Sequence, residues 1–553
     1  MKQQFFLVLV SSVALLVMAG LEVPQNAQAH DETVILQDNL GNHHYLISTT
    51  VSRAQQYFDQ GLILSFGFNH AEAGRSFLEA ARLDPNCAMC YWGAALVLGP
   101  NINAPMDSGA VPIAFQTLQQ AQALAGQTTK KEQALIQALT HRYSEKVVTD
   151  RRSLDEAYVE AMRKVAQQFP DDPVIGSLLA EALMDLHPWD FWTKEGQARP
   201  WTAEIVGRLE RVLDFAPNHP LANHLYIHAI EASPHPEKAV PSAERLETLV
   251  PGSGHLVHMP GHVYIRVGRY SDAARVNKHA VGIDHHYLSQ AHAESIYTLA
   301  YVPHNHHFLW AAATKTGQQA LALKAAHDTA NLVKPAMLRA PGLGATFQHF
   351  WIMPLYTKTL FGQWKEILLE PAPPVDLLYP TGVWHYARGL ALVRQGKLEQ
   401  AQQEQRQLQE VIKNPAIAPM KIFGINAILE ILQIGEAVLA SEIAEGQGEY
   451  AQAVKHLDRA IDIEDGLNYT EPKDWYLPPR QILGAVLLNA GKAQEAEAVY
   501  REDLAYHPKN GWTLYGLAQS LRAQGKMEAA DIVQKQFVEA WVESDVTLTS
   551  SRF

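Results

Sequence analysis

Histidine recurs in this chain at a fixed interval. His224 and His258 are separated by 34 residues, and so are His228 and His262. Pro217 and Pro251 share the interval, as do Ala239 and Ala273, so residues with no metal chemistry set the same phase. A period of this length marks a supersecondary unit that cannot bury its apolar face alone and must stack on copies of itself. The row continues with a 15-residue insertion. Gly268 to Gly317 and Ala273 to Ala322 are both offset by 49, and the same offset carries His258 to His307 and His255 to His304. From Gly317 to Gly362 the step is 45, which carries His304 to His349. Equivalent positions of successive units therefore bear imidazoles, in one row at 224, 258 and 307 and another at 255, 304 and 349.

The units read as helix pairs. Gly61, Ala73, Ala80 and Pro85 supply small residues where paired helices approach closely and a proline after the second helix. This pattern resembles the tetratricopeptide repeat (TPR), and it returns at Gly389, Gly396 and Ala401, at Tyr450, Ala453 and Ala460, and at Gly484, Ala496 and Pro508. C-A-M-C-Y-W-G at 87–93 and G-P-N-I-N at 99–103 are similar to segments of exported bacterial TPR proteins of uncharacterised function. The resemblance implies an all-α fold, a TPR-type α-solenoid in which helix pairs form a right-handed superhelix around a concave groove. It also implies a peptide or small-molecule ligand in that groove. Several inserted loops interrupt the repeats, among them Pro100–Pro112, Pro188–Trp201, His285–Val302, Pro335–Gly344 and Glu370–Pro380. The organisation expected is a signal peptide at 1–29, an extended segment at 30–50, a TPR-like solenoid at 51–543 with a histidine-rich groove at about 180–390, and a flexible tail at 544–553.

Lys2, the apolar run from Phe5 to Leu21, and Ala27-Gln28-Ala29 form an export signal. Cleavage after Ala29 would leave His30 first; an uncleaved anchor is the alternative, weakened by Ser11, Ser12 and Gly20. The expected location is periplasmic or secreted, with no stable membrane insertion after cleavage. A net charge of -13 removes any general attraction to nucleic acid or anionic lipid, so no nucleic-acid partner is expected. Cys87 and Cys90 are the two cysteines, spaced C-x-x-C. They read as a local disulfide or buried thiols, with a redox-active pair as the alternative. Tyr91 stands where a haem-attachment motif needs histidine.

His255, His258 and His262 form one stripe of a helix, and His224 and His228 an i, i+4 pair on the preceding equivalent helix. Neutral imidazoles converging from adjacent helices suit a transition metal, Cu or Zn above others. His304, His307 and His349 extend the candidate set. Pro260, between His258 and His262, breaks a helical rule and so points to function. The alternative is that these histidines bond backbone or hydroxyl groups inside a polar groove. His187, Trp189, Trp192 and Glu231 are candidates for the ligand groove, while His285, His286, His292 and His306 read as a loose tract. No nucleophile elbow, P-loop, H-E-x-x-H or dinucleotide fingerprint is present, so whether the chain is an enzyme stays open. Three functions follow: a metal-binding solenoid with a second ligand, a metal-dependent oxidoreductase or hydrolase, or a metal-free peptide scaffold.

Overall fold

The computed structural model describes residues 34–290 and 295–553. The expected signal peptide and His292 lie outside them. The described chain is all-α, a succession of helix pairs, and the only strands among the described residues are the two-residue pair Lys421–Ile422 and Asn426–Ala427. Two compact units are formed. The first takes the chain to Val263 and then His279–Val302; the second takes Tyr264–Lys278 and Pro303–Phe553.

Local signals delimit these helices. Asp172 caps Pro173–Asp185 through Val174 and Ile175, with proline at the first turn. Thr129 and Glu132 form a reciprocal capping box on Lys130–Leu139. Pairing depends on glycine at close approaches. A Cβ on Gly61 or Gly93 would lie 2.8 or 2.5 Å from the Phe77 ring, and one on Gly484 or Gly516 would lie 2.3 Å from Tyr500. Both units thus clamp an aromatic ring of one helix between glycines of its two neighbours.

Segment 34–50 carries neither helix nor strand and is fastened to the first helix, Ser52–Phe66, by Gln60 Nε2 donating to the Ile35 carbonyl and by Tyr57 donating to Val34. The tail, expected to be flexible, is docked instead. Ser551 and Arg552 are buried, Tyr500 and Ser551 share a hydroxyl hydrogen bond of 2.8 Å, and Arg552 pairs with Glu442 and Glu445. The loop expected from His285 begins later, because Tyr270–Gln290 is a continuous helix.

Candidate metal centre

Two helical segments build the centre, and the site residues they carry, His224 to His262, all belong to the first unit. Pro220–Ile230 begins with proline, is capped by the His219 ring accepting from Ala222, and is buried at all its positions. Its partner is split by Pro260 into Gly254–His258 and Pro260–Arg266, since a proline nitrogen cannot donate into the helical ladder. His224 and His258 are 0% exposed, His255 1%, and His228 and His262 2%. The expectation that the stripe faces an open concave groove is therefore corrected: the imidazoles lie in the interior.

Nitrogens of His224, His228 and His255 lie within 4.8 Å of one another, and ligand atoms of His228, Glu231 and His262 do the same. Hydrogen bonds distinguish the two sets. His224 Nδ1 donates to the Phe66 carbonyl at 2.7 Å, and His228 Nδ1 to Glu231 Oε1 at 3.1 Å. A neutral imidazole that donates from Nδ1 keeps its lone pair on Nε2. Both Nε2 atoms are buried and have no hydrogen-bond partner among the described residues. This is how metal-ligating histidines are held elsewhere, with an outer carbonyl or carboxylate fixing tautomer and ring orientation. The second set is a brace: Glu231 joins His228 to His262, whose Nδ1 pairs with Glu231 Oε2, while His262 Nε2 lies 3.0 Å from His258 Nε2. Glu231, expected in the ligand groove, is fully buried as the bridge between two histidines.

The electrostatics agree with these roles. Burial, then the neighbouring His228, holds His224 well below the usual imidazole range. Burial lowers His228 too, against the opposing pull of Glu231. Burial pushes the Glu231 carboxyl up, but His262 and His228 more than offset it and leave it at about 2. Neutral donors with one ionised carboxylate behind them suit a divalent ion, whose charge the carboxylate partly compensates.

Residues distant in sequence complete the walls. Phe68 is fully buried at a φ of 57°, a conformation that bulky side chains rarely adopt, and its ring centroid lies 4.6 Å from His224 and 5.7 Å from His255. A π-helical turn, Tyr297–Tyr301, holds His255. Tyr297 Oη accepts from the His255 backbone N at 3.1 Å and donates to Asp284 at 2.9 Å. The Tyr301 ring lies 4.8 Å from His255, and its hydroxyl accepts from Asn103 Nδ2 of the G-P-N-I-N segment. Sequence reasoning missed Phe68, Tyr297 and Tyr301; the singled-out G-P-N-I-N, through Asn103, touches only the last of them.

The inserted loop lies alongside. Trp192 Nε1 donates to the Ala229 carbonyl at 2.8 Å, and His187 stacks on Trp201 at 3.6 Å, so these residues tie the loop down. Trp189 differs. It has a φ of 61°, is 41% exposed, and sets its ring edge-on to His228 at 5.0 Å. Cys87 and Cys90 are joined by a disulfide, with Cys87 capping Ala88–Leu96. His304, half-buried, and His307 and His349, both buried, belong to the second unit. Of the expected loose tract, His285 and His286 are exposed whereas His306 is 1% exposed.

No family model and no curated protein matches the chain. Among solved structures it is similar to the human IFIT1 dimer with m7Gppp-AAAA, at 13% identity over 90% of this chain and 91% of that chain with a TM-score of 0.32. It is similar at 13% identity to the human IFIT1 dimer with PPP-AAAA, over 89% and 91% with a TM-score of 0.30. Likeness this distant says nothing about the chemistry of the site. Among the described residues no helix is long and apolar enough to cross a membrane.

Proposed function

We propose that this is an exported TPR-family protein that binds one divalent transition metal, Zn or Cu, through His224, His228 and His255 in its first unit. Glu231 and His262 orient the donors, and Trp189 covers the approach to His228, beside which a small-molecule or peptide ligand is received. The observation that carries the reading is the pair of buried Nε2 atoms of His224 and His228, each left with a lone pair by the hydrogen bond its Nδ1 makes. A buried polar atom left unsatisfied costs about 1–3 kcal/mol, which an ion bound there would recover.

Burial also weighs against the metal-free scaffold, because peptide-contacting side chains must reach solvent and these are at most 2% exposed. Metal analysis of untagged mature protein by mass spectrometry is the test. About one equivalent more metal in wild type than in His224→Ala supports the proposal; metal-free protein that takes up no Zn or Cu in calorimetry rejects it.

A further inference from the structure

The second unit contains its own pair of buried imidazoles. His307 lies on Val302–Lys315 and His349 on Gly344–Trp351; both are 2% exposed, and their ring centroids are 5.5 Å apart at an interplanar angle of 67°. With metal-to-nitrogen bonds of about 2 Å, two imidazoles sharing one ion hold their centroids roughly 5–6 Å apart when the nitrogen–metal–nitrogen angle is bent and slightly above 6 Å when it is linear, so 5.5 Å fits a bent pair. Both ring nitrogens of His307 are buried without a hydrogen-bond partner among the described residues. His349 Nδ1 lies 2.8 Å from the Tyr379 hydroxyl, which lies 3.1 Å from that of Tyr356. In the tautomer that donates from Nδ1, the phenol takes the place here that Glu231 occupies behind His228, and Nε2 of His349 is then the atom that keeps the lone pair.

The surroundings differ from the first centre in charge. Trp310 and Phe350 pack on His307 at 5.4 and 5.6 Å. Burial lowers His349 to about 4 and His307 well below its usual range; the carboxylate of this neighbourhood among the described residues, Asp474, acts on Tyr379 and Tyr356 rather than on either imidazole, and burial holds it at about 7, so it supplies only part of a charge. The penalty for burying an ion grows with the square of its charge, so a divalent cation is disfavoured where no anion compensates it. A monovalent d10 ion is satisfied by two neutral nitrogen donors and carries the smallest such penalty. We infer that His307 and His349 form a second, independent metal site, selective for Cu(I) over divalent ions, with Tyr379 as its positioning residue.

The test uses the full chain carrying His224→Ala and His228→Ala, titrated anaerobically with Cu(I) against a chromophoric chelator. One Cu(I) per chain is expected, with two nitrogen donors by X-ray absorption. His349→Ala or His307→Ala should weaken it by at least about 100-fold, the upper end of what loss of an outer partner alone costs. Tyr379→Phe should weaken it less and leave the donor count at two. Should the background variant fail to fold by circular dichroism, wild type preloaded with Zn(II) is titrated instead and should take one further Cu(I). No retained Cu(I), an affinity unmoved by His307→Ala or His349→Ala, three or more donors, or tighter binding of Zn(II) than of Cu(I) at this site would each overturn the inference.

Discussion

In the first unit a carboxylate backs two imidazoles, those of His228 and His262, whereas in the second a phenol backs one, that of His349. Glu231 is ionised and touches two histidines; Tyr379 is neutral and touches one. Both clusters are equally buried, so burial does not distinguish them. What differs is the fixed negative charge available to an incoming ion, and with it the ion charge each interior tolerates. Rows of histidine that look equivalent in sequence thus become unlike sites through residues outside the rows.

The largest way to break the comparison is His224→Ala with His228→Ala. Calorimetric Zn(II) affinity should fall by at least about 100-fold, while His235→Ala, whose side chain is 65% exposed, changes nothing. An unchanged Zn(II) affinity would place the divalent ion elsewhere.

Glu231→Gln comes next. It leaves His228 and His262 without their anion, and urea denaturation near pH 7 should show a loss of about 3 kcal/mol, at the lower end for breaking a buried pair. Its acid limb carries the comparison. Glu231 is at about 2 when folded and roughly 4.3 unfolded, so its stability is present above 4.3 and is lost as pH falls toward 2. The variant should be flatter than wild type over that window, and an identical slope there would mean that Glu231 is not held ionised.

His349→Phe addresses the other region. With His349 at about 4 folded and near 6.5 unfolded, the unfolded chain takes the proton first, so stability is present above 6.5 and is lost as pH falls toward 4. Removing the group should take about 3 kcal/mol out of the acid sensitivity between those values and leave the lower limb alone. Loss of the lower limb as well would show that the two regions titrate together.

Trp189→Ala should have the smallest effect. Trp189 is half-exposed with its ring edge-on to His228, and in the proposed reading it covers the approach to the donors without being one. Transfer of metal to a chelator in stopped flow should quicken several-fold with affinity held within about threefold, a change of well under 1 kcal/mol. Equal transfer rates would assign Trp189 to the loop alone.

The repeat period made the helix pairs legible, and Pro260 made the break between His258 and His262 legible. Burial of the first pair was written in P-L-A-N-H-L-Y-I-H-A-I, which carries no Asp, Glu, Lys or Arg on any face. A helix without a charged stripe is an interior helix, and that signal outranks the family expectation of an exposed groove. Glu231 was half legible, three residues beyond His228 and so on the same face. Its second partner, His262, depends on how the two helices pack. Phe68, Tyr297 and Tyr301 were hidden because they reach the cluster from turns whose positions follow from long-range packing, and neither a φ of 57° nor a π-helical turn has a signature in local composition.

The docked tail changes how the second unit comes apart. In a helical array each repeat touches only its neighbours, so the terminal repeat peels away first and the rest follow in order. Here Ser551 is bonded to Gln481 and Tyr500, Arg552 to Glu442 and Glu445, and Phe553 accepts from Arg394 while its ring meets Trp512. Residues 551–553 are thereby tied to a helix more than 150 residues upstream as well as to the pairs around Gln481 and Tyr500. Peeling must first break this clasp, which turns graded fraying into a concerted opening. During synthesis the same clasp orders events in reverse: helices from Leu378 onward can pair as they emerge, but the unit locks only when residues 551–553 arrive.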